Sequence, residues 1–211
     1  MLRNSHRVPS SRRAWMQGIL LASSLFMFSP PQFAAESTSA KQEVQALVDS
    51  AFKVLRDPAL KSDKKARIAQ LRVAVDRVVD WEEMAKSSLG HHWRTTNDAQ
   101  RAEFILVFKD LLAKQYMDDV DRFQGTEKVT VKDAEVRGEL RIVKTTLLTA
   151  SKELIPIDYT LRQTSAGWRV GDFSVEGVSM VNHFRNSFSR FLVNKDIGAL
   201  IKQLRAKLGN L

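Results

Sequence analysis

The sequence predicts an α+β domain: helices first, then a four-stranded antiparallel sheet covered by those helices, then helices again. Apolar residues recur at three- and four-residue steps from Val44 to Tyr116 and again from Val178 to Leu208. Between these stretches, from Val129 to Val175, the step drops to two. The connections around Arg137-Gly138, Ser151-Lys152 and Thr164 to Gly167 are too short for parallel crossovers and favour a meander.

In chain order, Glu36 to Lys41 is small and polar and reads as a flexible leader. Val44, Leu47, Val48, Ala51 and Leu55 mark a first helix, which Asp57-Pro58 stops because proline lacks a donor and disfavours helix in the residue before it. A second helix starts near Asp63 and runs through Ile68, Leu71, Val75 and Val79; Trp81 to Leu89 continues or restarts it, and Gly90 ends it. Asn97 with Gln100 three residues on is a capping box that opens a helix with the stripe Phe104, Phe108, Leu111, Leu112 and Tyr116.

Strands follow at Val129 and Val131, Leu140 to Leu148, Ile155 to Leu161 and Trp168 to Val175. In the third, Ile155, Ile157, Tyr159 and Leu161 share one face, and Pro156, Asp158, Thr160 and Arg162 share the other. In the fourth, Trp168 and Val170 fall one step out of phase with Phe173 and Val175, as a bulged strand would. After Gly177 a helical stripe of Val178, Val181, Phe184, Phe188 and Phe191 takes over, and Asp196 caps a last helix.

Residues 1–35 have the layout of an export signal. Arg3, Arg7, Arg12 and Arg13 precede an uncharged run, apolar from Gly18 to Phe28, that ends at Pro30, Pro31 and Ala34-Ala35. Ser11 to Met16 also resembles the twin-arginine signature, so either export route is open. Removing these residues takes four of the 33 basic side chains and none of the 24 acidic ones, leaving 29 against 24 and lowering the formal charge from +9 to +5. The remaining residues, 36–211, suffice for a single domain. Its charges are interleaved and lack the basic runs with spaced aromatics that nucleic-acid binding uses. With no cysteine, thiol chemistry and disulfides are excluded.

Residues that suggest chemistry have ordinary explanations beside the functional ones. His91 and His92 are neighbours and do not easily share a face, and no carboxylate or histidine stands at metal-ligand spacing, so no metal site is expected. Ser179, His183 and Asp172 hint at a hydrolase triad, yet no nucleophile elbow surrounds Ser179, which more simply caps the helix that follows. No catalytic residue is assigned. The aromatic side chains fit a solid core or the wall of a cavity equally, and periodicity does not separate the two.

Leu89-Gly90-His91-His92-Trp93-Arg94, Ala99 to Phe104 with Phe108, Leu111, Leu112 and Tyr116, Gly167-Trp168-Arg169-Val170 and Val175 to Val181 together resemble the MlaC or toluene-tolerance family, in order and spacing over nearly the whole chain after residue 35. The resemblance implies a periplasmic carrier of glycerophospholipids without enzymatic activity or cofactor. It further implies exchange with an inner-membrane Mla ABC transporter complex and an outer-membrane MlaA–porin complex, to maintain outer-membrane lipid asymmetry, and a monomeric state. It places an apolar cavity between sheet and helices, with Phe108, Leu112, Tyr116, Leu147, Ile155, Ile157, Tyr159, Val175, Val178, Val181 and Phe184 as its lining. Arg185 either meets a lipid phosphate at the rim or pairs with an acid on the surface, and Gly177 or the Gly125 region supplies a hinge. Two rivals stay open: an enzyme using Tyr159, Asp172 or His183 in a similar pocket, and an interaction module with a fully packed core.

Overall fold

A computed structural model describes residues 32–117, 122–123 and 125–209. The export-signal expectation therefore falls outside the described residues except for 32–35, which begin the first helix. Helix α1 spans Gln32–Leu55, so the segment expected as a flexible leader is helical. Two contacts account for this: Ala40 is fully buried against the sheet, and Lys41 Nζ reaches Asp133 Oδ1 at 2.7 Å. The helix stops before Pro58 as expected, where Asp57 accepts the Ala59 N–H at 2.9 Å in a short 3-10 turn.

Helix α2 (Lys64–Asp76) starts from Asp63, whose carboxylate accepts the Ala66 N–H at 2.9 Å. It does not run through Val79. A turn at Arg77-Val78 closes the helix, and Val79, β-branched and suited to a strand, forms a parallel bridge with Val170 of strand β4. Val170 N–H donates to Val78 O at 2.8 Å and Asp80 N–H donates to Val170 O at 2.9 Å. Asp80 then caps a separate helix, α3 (Trp81–Leu89), by accepting the Glu83 N–H at 3.0 Å. Beyond a 3-10 turn, the capping box of α4 (Asp98–Met117) closes reciprocally: Gln100 N–H donates to Asn97 Oδ1 at 2.9 Å, and Asn97 N–H to Gln100 Oε1 at 3.1 Å.

The sheet has five strands rather than four: β1 (Lys128–Arg137), β2 (Leu140–Leu148), β3 (Leu154–Thr164), β4 (Gly167–Val175) and the two-residue β5 (Val178–Ser179), antiparallel and in chain order. The fifth arises from the joint at Glu176-Gly177. Both residues have positive φ, +51° and +81°, as a two-residue hairpin turn with right-handed twist needs, and Val178 folds back to pair with Val175 instead of opening a helix. Helix α5 (Met180–Leu192) therefore begins two residues later than the apolar spacing predicts, and α6 (Ile197–Gly209) follows it, capped by Asp196.

The bulge expected in β4 is present. Thr160 pairs with Asp172 but Leu161 pairs with Val170, which leaves Gly171 as the extra residue. That single insertion puts Trp168, Val170, Phe173 and Val175 on the inward face, although their spacing changes phase. A second bulge, between Val131 and Ala134 of β1, does the same for those two residues.

Two apolar cores result. One joins α3, α4, α5 and α6 around Met84, Phe104, Phe108, Phe188 and Leu200; the other joins α1 to the sheet around Val44, Val143, Leu161 and Val170. Val79, on the extended link between α2 and α3, packs against both.

Candidate functional site

Where the two cores part, two pockets open between helices and sheet. A chamber of about 280 Å³ lies between α1, α2, α3 and α4 on one side and β3 and β4 on the other, walled by Leu47, Val75, Met84, Leu112, Ile157, Val170, Phe173 and Val175. A second, of about 870 Å³, lies under the C-terminal half of α1 and against β1 to β3, walled by Ala51, Phe52, Leu55, Val129, Leu147 and Ile155. Leu47, Val75 and Tyr159 border both, so the chambers adjoin at that collar.

The linings differ in character. The smaller chamber is almost wholly apolar, and the charged side chains at its margin are neutralised among themselves. Arg72 is paired with Asp110, and Lys109 Nζ meets Asp76 Oδ2 at 2.6 Å while Trp81 Nε1 donates to Asp76 Oδ1 at 3.0 Å. These pairs link α2 to α4 and leave no bare charge facing the apolar space, where one would be strongly disfavoured. The larger chamber carries Thr149, Ser151 and Glu153 of the β2–β3 turn and Glu127 along its edge.

Tyr159 stands in the middle of β3, paired with Val143 on one side and Phe173 on the other. Burial pushes its phenol up to about 12, because the phenolate would sit in apolar surroundings. The folded protein thus keeps this proton between pH 10 and 12 while the unfolded chain loses it. The corresponding stability is fully present below pH 10 and is lost as pH rises toward 12. Denaturant midpoints at pH 9 and pH 11.5 are expected to fall further apart in the wild type than in Tyr159→Phe, and one of the two tyrosines should titrate near 12 in ultraviolet absorbance.

Of the side chains assigned to the lining from sequence, Leu112, Leu147, Ile155, Ile157, Tyr159 and Val175 border the chambers. Phe108, Val181 and Phe184 do not. They belong to the helical core, where Phe108 meets the Phe184 ring edge-on at 5.1 Å and Phe104 in a stack at 5.6 Å, so interlocked rings fill the space they would have lined. Val178 is 53% exposed on β5, turned there by the hairpin. The side chain of Tyr116 lies outside the described residues.

Arg185 is held away from the chambers: its Nε donates to Ser87 O at 2.7 Å across the α3–α5 contact, and it borders a different, small surface cleft with Glu83 and Asp172. Its Nη1 also reaches Asn182 Oδ1 at 3.4 Å, so the partners found are neutral oxygens rather than an acid. Gly177 is required by the turn, where a side chain would be strained at its φ of +81°.

Sequence reasoning missed the α1 and α2 side of the wall, including Leu47, Phe52, Val75 and Val79. The α1 stripe carried a usable signal, because Leu47, Val48, Ala51 and Leu55 form an apolar band wider than one buried seam needs. The two neighbouring histidines do meet, with ring centroids 3.9 Å apart, since the 3-10 turn Gly90–Thr95 lets adjacent side chains lean together. Burial and the neighbouring His91 both lower the pKa of His92. Among the described residues no three histidines or carboxylates gather as a metal site, and no helix is long and apolar enough to cross a membrane.

These features define an α+β domain with two adjoining, largely apolar pockets between the sheet and its helices. The family model described as MlaC protein matches residues 45–206, and the chain belongs to the MlaC family. A phospholipid-binding protein from Ralstonia solanacearum, solved at 1.53 Å in complex with a phospholipid, has the same fold. It aligns with a TM-score of 0.75 over 82% of this chain and 98% of its own, at 20% identity.

Proposed function

We propose that this chain is a periplasmic phospholipid carrier, without catalytic activity, that takes up glycerophospholipid after export and signal removal. It then exchanges that lipid, as a monomer, with an inner-membrane Mla ABC complex and an outer-membrane MlaA–porin complex. The observation that carries the reading is the pair of adjoining chambers at the seam of the two cores, one almost free of polar groups and the other with a polar edge. Membership in the MlaC family and the phospholipid in the Ralstonia solanacearum relative support it. A lipid with roughly 30 methylenes, at about 0.8 kcal/mol each, faces a gross penalty of order 24 kcal/mol in water, and a container of this kind removes that barrier.

The rival enzyme reading fares less well on geometry. Ser179 Oγ donates to Asp172 Oδ2 at 2.5 Å and accepts the Asn182 N–H at 3.1 Å, while Asp172 Oδ1 accepts the Val181 N–H at 3.0 Å. Both side chains are engaged in capping α5. His183 is exposed and lies edge-on to Phe184. A phenol held near pKa 12 is a poor acid or base at neutral pH.

Mass spectrometry of the full chain purified without denaturants tests the proposal. Intact phospholipid released on unfolding, with head group and both acyl chains, is the expected result. Hydrolysed lipid would favour an enzyme, and no bound lipid together with no uptake from vesicles would overturn the carrier reading.

A further inference from the structure

Tyr159 is a polar group in a place that a simple apolar sleeve would give to leucine or phenylalanine. It borders both chambers at their collar, half-buried, on a backbone fixed by strands on both sides. Most of the polar side chains at the smaller chamber's margin, and Thr149 at the larger one's edge, are already engaged. Trp81 Nε1 donates to Asp76, Lys109 pairs with the same carboxylate, Arg72 pairs with Asp110, and Thr149 Oγ1 is bonded to Ser151 Oγ and to the Glu153 N–H. No hydrogen bond joins the Tyr159 hydroxyl to any described residue, and the half-buried side chain leaves it open to the chambers.

A phenol is protonated throughout the neutral range, and one at an apolar wall loses its water when acyl chains fill the space, so it then needs an acceptor. A glycerophospholipid has few acceptors that travel inward with its chains. They are the two acyl-ester carbonyls, which stand where the polar head group meets the apolar tails. The collar occupies the matching place, between the almost wholly apolar small chamber and the larger chamber with its polar edge.

We infer that Tyr159 is a specificity-determining residue whose hydroxyl donates a hydrogen bond to an acyl-ester carbonyl of the bound lipid, fixing the depth of the chains and favouring ester-linked over ether-linked lipids. This inference rests on the phospholipid reading above. An ether oxygen is a weaker and differently placed acceptor, so chains of equal length joined by ethers would fit the same walls without that bond.

The test is competitive binding of two phosphatidylethanolamines with identical chains, one diester and one diether, to the delipidated full chain and to Tyr159→Phe. The wild type is expected to prefer the diester about five- to tenfold, the effect of one net hydrogen bond. Tyr159→Phe should bring the ratio below twofold, chiefly by weakening the diester. Equal affinities in the wild type, or an equal loss for both lipids in Tyr159→Phe, would overturn the inference and leave the carrier reading standing. Failure of both lipids to bind the wild type would overturn the carrier reading and this inference with it.

Discussion

Ile157→Glu is expected to lower phospholipid affinity by more than a hundredfold, with the fold retained. Ile157 lines the smaller chamber from the middle of β3, and its backbone carbonyl accepts a hydrogen bond from Thr145 Oγ1 at 2.7 Å. A carboxylate there faces an apolar space with no cation free to neutralise it, since Arg72 and Lys109 already pair with Asp110 and Asp76. Filling that space with acyl chains would strip the charge of water, at several kcal/mol for an unpaired ion. In the empty chamber the same carboxylate keeps some water, which is why binding should suffer more than folding. Displacement of a fluorescent lipid, with circular dichroism in parallel, measures both. Val178→Glu, on the 53% exposed Val178 of β5, should change affinity less than twofold, although apolar spacing alone ranks the two positions together. Comparable losses at both sites would place the lipid elsewhere.

Phe108→Ala should have the largest effect on stability, about 3–5 kcal/mol, which for a domain of this size lowers the melting temperature by about 6–20 °C. Phe108 is 1% exposed, and its ring meets those of Phe104, Phe184 and Phe188 at 5.6, 5.1 and 6.0 Å. Truncation opens a void that helices fixed on every side do not close, and removes three ring contacts. Phe173→Ala, at the chamber wall, should destabilise less and weaken lipid binding more, because its ring already borders empty space. Thermal melts with lipid titrations separate the two. A Phe108→Ala protein that melts like the wild type but no longer takes up lipid would restore this residue to the lining.

The order and kind of elements were legible where local chemistry decides them. Asn97 with Gln100, and the aspartates at 63 and 196, act on backbone groups a few residues away, and the structure shows each as a cap. The phase change between Val170 and Phe173 announced the Gly171 bulge for the same reason: an alternation that slips by one needs one extra residue. Long-range pairing was not legible. Val79 continues a helical stripe in sequence, and only the presence of β4 beside it draws it into a bridge. The leader at Glu36 to Lys41 looked flexible because its composition is polar, yet docking against the sheet makes it helical.

By itself the sequence determined that helices flank an antiparallel meander and that Ile155, Ile157 and Tyr159 share one face. It also indicated, through family resemblance, that this face meets a ligand. Only the tertiary structure decided which apolar side chains close into a core and which border the hollow. Phe108 and Tyr159 are both aromatic, both inward and both correctly spaced. Helices α4, α5 and α3 converge on the first and fill the space around it, whereas α1 and α2 stand away from the second. Periodicity records which side of an element faces inward, but how closely the opposite wall approaches depends on where the other helices come to rest.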